Sequence, residues 1–176
     1  MIGGERKEGP GEIALQWWRR HLWVEERDPA QRSYAKGVAA RIRRASSSYA
    51  VLCEPDGHSL ASALGIGPER ADKLVQIVRL LAEVRQHIPV PLARTLGGSE
   101  PVLSQTRFEK LLRAENEELT NQMRRAIAMA DRKCNVASLA SDLLFWNDQT
   151  RNRWCFDYFN GVRAETPDDL EREPIE

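Results

Sequence analysis

Arginine is the residue type that recurs in this chain with spacing suited to chemistry. Arg19-Arg20, Arg43-Arg44 and Arg124-Arg125 are adjacent pairs, and Arg107, Lys110 and Arg113 recur at every third position. A guanidinium keeps its charge, and its planar fork matches two oxygens of a phosphate. Donors repeated in this way suit a nucleic-acid backbone passing over helix faces. The same stretches hold Glu109, Glu115, Glu117, Glu118 and Asp131. Solvated helix faces laced with ion pairs are therefore the competing reading.

Catalytic arrangements are harder to find. His21, His58 and His87 are far apart in sequence and none belongs to a metal-ligand motif. Gly65-Ile66-Gly67 precedes a helical segment but lacks the strand and third glycine of a phosphate-cradling loop. Asp142 and Asp148 are the carboxylates to weigh for a divalent ion, and isolated acids on helices more often pair with arginines. Cys53, Cys134 and Cys155 are odd in number and lack CxxC spacing, which predicts buried free thiols. The expectation is a protein that is not an enzyme, with no catalytic residues, no metal and no cofactor. No apolar run approaches a membrane span, and the opening MIGGERKEGPG has no hydrophobic signal core, so a cytoplasmic location without membrane contact is expected.

The elements that must position the arginines are helices. Ile13, Trp17 and Val24 mark a first helix over about 12–24. Asp28-Pro29 is a start signal for a second, with Ala30, Tyr34, Val38 and Ile42 at i+4 spacing. Glu54-Pro55-Asp56-Gly57 reads as a turn before a short helix over 59–64. Leu74, Ile77, Val78, Leu81 and Val84 cover much of the next helix, which should be the most buried of the N-terminal half. Ile88-Pro-Val-Pro-Leu breaks the pattern. Thr106-x-x-Glu109 has the form of a capping box, and Phe108, Leu111 and Leu112 follow as an apolar stripe. Leu119, Met123, Ala126, Ile127 and Ala130 keep a 3.6 period; Leu139, Leu143 and Trp146, then Trp154 and Tyr158, mark the last two helices, and Gly161 should stop the final one.

This predicts an all-α fold, a bundle of about eight helices with no sheet. A flexible leader covers 1–11, an N-terminal helical subdomain 12–90, a C-terminal helical subdomain 104–160, and an acidic disordered tail 161–176. Formal net charge is zero, but the tail is acidic and the body mildly basic, which permits a local basic face. Trp17, Leu81, Met123, Ile127, Leu143 and Trp154 are expected in the core; Trp18 and Trp23 are candidates for contact with a partner protein.

An ordered series of segments resembles one family. Ala40-Arg-Ile-Arg-Arg-Ala45, Pro91-Leu-Ala-Arg-Thr-Leu-Gly97, Thr106-Arg-Phe-Glu-Lys-Leu-Leu-Arg113, Leu119-x-x-x-Met-Arg-Arg125, and Leu143-Leu-Phe-Trp146 leading to Arg151-x-x-Trp154-x-x-Asp-Tyr158 look like the CasB family, the small subunit of the type I-E CRISPR complex Cascade. The resemblance spans about residues 12–160. It implies a non-catalytic subunit whose partners are other Cascade subunits, a second copy of itself, the guide RNA, and the target and displaced DNA strands. It adds Arg94 to the basic positions, so the implied nucleic-acid-binding set is Arg43, Arg44, Arg94, Arg107, Lys110, Arg113, Arg124 and Arg125. After Trp146 this chain has Asn147-Asp148-Gln149 where some relatives are basic, which leaves Arg151 or Arg153 to supply any contact there. Two other readings stay open: a helical protein-interaction scaffold without nucleic-acid contact, and a helix-turn-helix regulator with a protruding recognition helix.

Overall fold

Prolines and short polar side chains set the helix starts. Asp28 accepts a hydrogen bond from the Gln31 amide, with Pro29 in the first turn, and Pro10 and Pro55 open two further helices. Proline fits there because the first-turn N–H groups have no partner within the helix. The stretch expected to be a turn at 54–57 is thus the first turn of a helix reaching Leu64. Ser104, not Thr106, caps the helix that carries Phe108, accepting from the Arg107 amide. Gly65 ends its helix in the left-handed conformation, φ 66°, with the Ile66 amide bonded back to the Ala61 carbonyl. Gly65-Ile66-Gly67 is therefore a helix stop and not a phosphate loop.

The computed structural model describes residues 8–160, so the expected tail over 161–176, the expected stop at Gly161 and most of the leader lie outside the described residues. It contains α1 (Pro10–His21), α2 (Pro29–Arg44), α3 (Ser48–Leu52), α4 (Pro55–Leu64), α5 (Ala71–Leu81), α6 (Leu92–Leu96), α7 (Gln105–Arg113), α8 (Asn116–Met129), α9 (Val136–Leu144) and α10 (Asp148–Asn160). The all-α expectation holds. The helices number ten because α3 and α6 are short turns in stretches read as connectors.

The expectation of no sheet needs one correction. β1 (Gln86–His87) and β2 (Lys133–Cys134) form a parallel pair. Asp131 and Arg132 both adopt φ 56°, turning the chain after α8 so that the Arg132 carbonyl accepts from the Arg85 and Gln86 amides. This pairing ties the end of α5 to the end of α8.

Helices from both sides of residues 88–103 feed one continuous apolar cluster. α5 is buried through Leu74, Val75, Ile77, Val78, Leu80 and Leu81, as its wide apolar face predicts, and packs on α3, α4, α8 and α9. α1 packs mainly on α9, and Gly11 allows the approach: a Cβ there would press into the Ala137 carbonyl. All six expected core residues are buried. Trp18 is 1% exposed and its indole donates to the Val84 carbonyl, so it is a core residue and not a partner contact. Trp23 is half-buried against the core. Cys53 is exposed, against expectation, because it terminates the short α3 at the surface. Cys134 is buried and its thiol is pushed up to about 12 by burial. Among the described residues, no helix is long and apolar enough to cross a membrane.

Candidate nucleic-acid interface

The orientation of α7 follows from its apolar side. Phe108 stacks on Tyr158 of α10 with ring centres 4.0 Å apart, and the Tyr158 hydroxyl donates to the Leu103 carbonyl at 2.5 Å. With Phe108 and Leu111 held in the core, Arg107 and Lys110 face outward beside α8. There they meet Arg125, with Leu103, Leu111, Gln122 and Met129 completing a cleft of about 360 Å³. Among the described residues neither Arg107 nor Arg125 pairs with a carboxylate, and Lys110 lies only at the edge of pairing distance, 4.0 Å from Glu118. Three of the eight expected positions thus share one cationic cleft.

A second group gathers at the end of α5. Arg43 donates to the Ala82 carbonyl at 3.0 Å. Glu83, only 5% exposed, receives Arg124 at 3.2 Å and Arg132 at 2.5 Å. The neighbouring cleft, about 630 Å³, has Lys36, Arg43 and Arg85 on its rim and Leu22, Ala39 and Val84 among its apolar lining. Adjacent residues of α8 point about 100° apart, so Arg124 turns to the buried carboxylate and Arg125 to the open cleft.

The remaining positions lie apart. Arg44 is exposed at the end of α2, near the Arg41–Glu54 pair, and has no carboxylate partner among the described residues. Arg94 pairs with Asp157 at 3.2 Å, and Arg113 with Glu109 at 3.3 Å. Arg151 is occupied by Asp148 and Glu115 and lies over the Trp146 ring, while Arg153 pairs with Asp142. Sequence reasoning missed Lys36, Arg85 and Arg132. Arg85 had one usable signal, its place just past the end of a strongly apolar helix; Arg132 had none.

The carboxylates weighed for metal chemistry are committed elsewhere. Asp142 is buried, accepting from the Trp154 indole at 2.7 Å and from Arg153. Burial raises its pKa above the ordinary carboxylate value, opposed by these two donors. Asp148 pairs with Arg151. His21 lies 2.6 Å from Asp56, which also accepts from the Tyr34 hydroxyl at 2.7 Å; this cluster joins α1, α2 and α4. Among the described residues no group of three or more His, Cys, Asp and Glu could hold a metal ion.

Fold and surface together define a predominantly helical protein with two arginine-rimmed clefts. Residues 38–159 match the family model for CRISPR-associated protein Cse2, and the chain belongs to that family, the Cse2 or CasB small subunits. A chain in the crystal structure of E. coli Cascade bound to a PAM-containing dsDNA target has a similar fold, with a TM-score of 0.58 and 21% identity. The match covers 82% of this chain and 93% of that one. Comparison with curated protein sequences gives no match.

Proposed function

We propose that this chain is a non-catalytic subunit of a Cascade-type complex that holds nucleic-acid backbone on its arginine faces. The observation that carries this reading is the cleft of Arg107, Lys110 and Arg125, where two guanidiniums face solvent without a carboxylate partner among the described residues. Structural arginines are usually paired, as Arg124 is here. Family membership supports the setting. The partners are other Cascade subunits, a second copy of the chain, the guide RNA, and the target and displaced DNA strands.

Its contribution is electrostatic. In RNA-guided recognition base pairing reads the sequence, while protein contacts to the backbone tip a near-balanced strand exchange. Arg107, Lys110 and Arg125 bind phosphate directly, and Arg43 and Arg44, apart from that cleft, offer separate contacts at the end of α2. Arg94, Arg113 and Arg124 take part only by exchanging a carboxylate for phosphate.

Reversing charge at Arg44, Arg107 and Arg125 together tests the reading. Binding to single-stranded and duplex DNA should weaken regardless of sequence. The logarithmic salt dependence should flatten by about 0.7–0.9 for each phosphate that is no longer neutralised. Thermal stability should change little, because exposed arginines contribute little to folding. Unchanged DNA affinity and salt slope would favour the scaffold reading, which has an observation of its own: Phe156 and Phe159, one turn apart on α10, are 69% and 49% exposed.

A further inference from the structure

A third cavity lies on the polar strip of α5. Apolar side chains bury most of that helix, yet Lys73, Gln76 and Arg79 recur at every third position and share a side. They line a cavity of about 500 Å³ together with Asn116 and Thr120 of α8 and the exposed Arg70. Its floor is a closed hydrogen-bond network. Gln76 is only 6% exposed, and its amide donates to the Asn116 carbonyl and to the Thr120 hydroxyl, each at 3.1 Å. Thr120 donates in turn to the Asn116 carbonyl at 3.2 Å. The side-chain oxygen of Gln76 accepts from the Lys73 ammonium at 2.9 Å. That bond uses one of three ammonium hydrogens and fixes the position of the charge.

Negative charge is missing from this cluster. Arg70 donates to the Leu144 carbonyl at 3.4 Å and Arg79 to the Ala45 carbonyl at 3.0 Å, so all three cations direct these bonds to neutral oxygens. Glu69, Asp72 and Glu117 line the same cavity, but they are exposed, and among the described residues none pairs with Arg70, Lys73 or Arg79. Lys73 is half-buried, and burial, then the Arg70 guanidinium, push its pKa below the ordinary lysine value. Both causes oppose its charge, and an anion beside it would offset them.

We propose that this cavity binds a single phosphate group, free or at the end of a small organic molecule, through Lys73, Arg79 and Arg70. A tetrahedral oxyanion offers acceptors to donors that converge from several directions. The exposed carboxylates select what enters. A polynucleotide backbone would carry a row of charges past Glu69, Asp72 and Glu117, whereas a lone phosphomonoester brings its charge only to the cationic floor. The cavity is larger than a phosphate ion and falls in the range of small-molecule sites, which leaves room for an organic body. The site is separate from the Arg107–Lys110–Arg125 cleft, does not rest on the backbone-binding reading, and discriminates against the ligand of that cleft.

The chain has five lysines, so reductive methylation with isotopically labelled formaldehyde gives a simple NMR spectrum of the full-length protein. Inorganic phosphate, added at constant ionic strength against chloride, should shift the Lys73 signal in a saturable way before those of Lys36, Lys110 and Lys133. A Lys73 signal that does not move, or that moves in step with the other lysines, would overturn the proposal. An unphosphorylated DNA single strand should move Lys110 and leave Lys73 in place. If the strand moves Lys73 as much as Lys110, the cavity belongs to the backbone-binding surface and the separate site is overturned. A strand that leaves Lys110 in place counts against the backbone-binding reading alone.

Calorimetric titration provides the second arm. Arg79→Gln should weaken phosphate binding about tenfold or more, the loss expected for one charge-assisted contact, while Arg107→Gln should leave it unchanged. The reverse order would place the phosphate in the α7–α8 cleft and overturn the assignment. Adenosine 5′-monophosphate and inorganic phosphate separate the two sources. Tighter binding of the nucleotide, with no binding of adenosine, identifies a phosphomonoester; equal binding of both identifies free phosphate. Binding of adenosine as tight as that of its monophosphate would overturn the role of the three cations.

Discussion

Arg124 and Arg125 are chemically identical neighbours with different work. Arg124 pairs with buried Glu83, and Arg125 faces the cleft. Removing both Arg124 and Arg132 strands a buried carboxylate, which should cost about 3 kcal/mol or more. Glu83→Gln should cost less, because the two arginines it releases are partly exposed and can rehydrate. Arg125→Ala should leave stability within about 0.5 kcal/mol. Urea unfolding of the four proteins checks the order; an Arg125 effect equal to that of Arg124 and Arg132 would contradict it. Asp142 adds a pH signature. Its folded pKa is raised, chiefly by burial, so its contribution to stability is fully present below the ordinary carboxylate pKa and is lost as pH rises through the folded value. Relative to Asp142→Asn, the wild-type protein should therefore lose ground as pH rises from the acid side toward neutrality. A stability difference that stays flat over that range would refute the assignment.

At the scale of elements, α10 packs closely on α6 and is anchored by large aromatic side chains. Trp154 is 2% exposed, hydrogen-bonds Asp142 and meets Trp146 edge-on at 5.1 Å. Trp154→Ala should cost about 3–5 kcal/mol, measured by chemical denaturation. An unchanged melting temperature together with abolished DNA binding would instead make Trp154 a base-stacking residue. The helices are largely legible because their apolar residues recur every 3.6 positions, as along Leu119, Met123 and Ile127. Their starts are legible where one signal stands alone, as at Asp28-Pro29. They mislead where two compete: Thr106-x-x-Glu109 has the form of a cap, yet Ser104 lies two residues earlier and starts the helix first. Pro55-Asp56-Gly57 fits a turn or a helix start, and only the packing of α4 on α1 and α5 decides between them. The β1–β2 pair has no sequence signal, because two residues are too few to show alternation.

For the whole molecule, zero net charge conceals a divided surface. The family is legible from the order of short arginine and aromatic segments, but their arrangement in space is not. Spacing along a helix gives its outward face, whereas which helices stand side by side depends on tertiary packing. Arg107 and Lys110 can be grouped from sequence by their i, i+3 spacing; that Arg125 joins them, and that Arg94 faces Asp157 instead, cannot. In an assembled complex, Arg44→Glu, Arg107→Glu and Arg125→Glu together should leave guide processing intact and reduce the stability of the opened target. Equal target opening by a fully assembled triple variant at physiological salt would argue against a backbone-holding role.

The packing of α1 on α9, with Gly11 against Ala137, also has a consequence for biosynthesis. The ribosome delivers the chain from its N-terminus at about 5–20 residues per second, so the first helix waits roughly 6–25 s for its main neighbour to be made. During that interval α1 can lean on α4, where Trp17 finds Asp56, but the face around Gly11 stays uncovered. Native closure of α1 therefore waits until α9 has been made, and a nascent chain stalled before residue 136 should be more accessible to chaperones and proteases than the released protein.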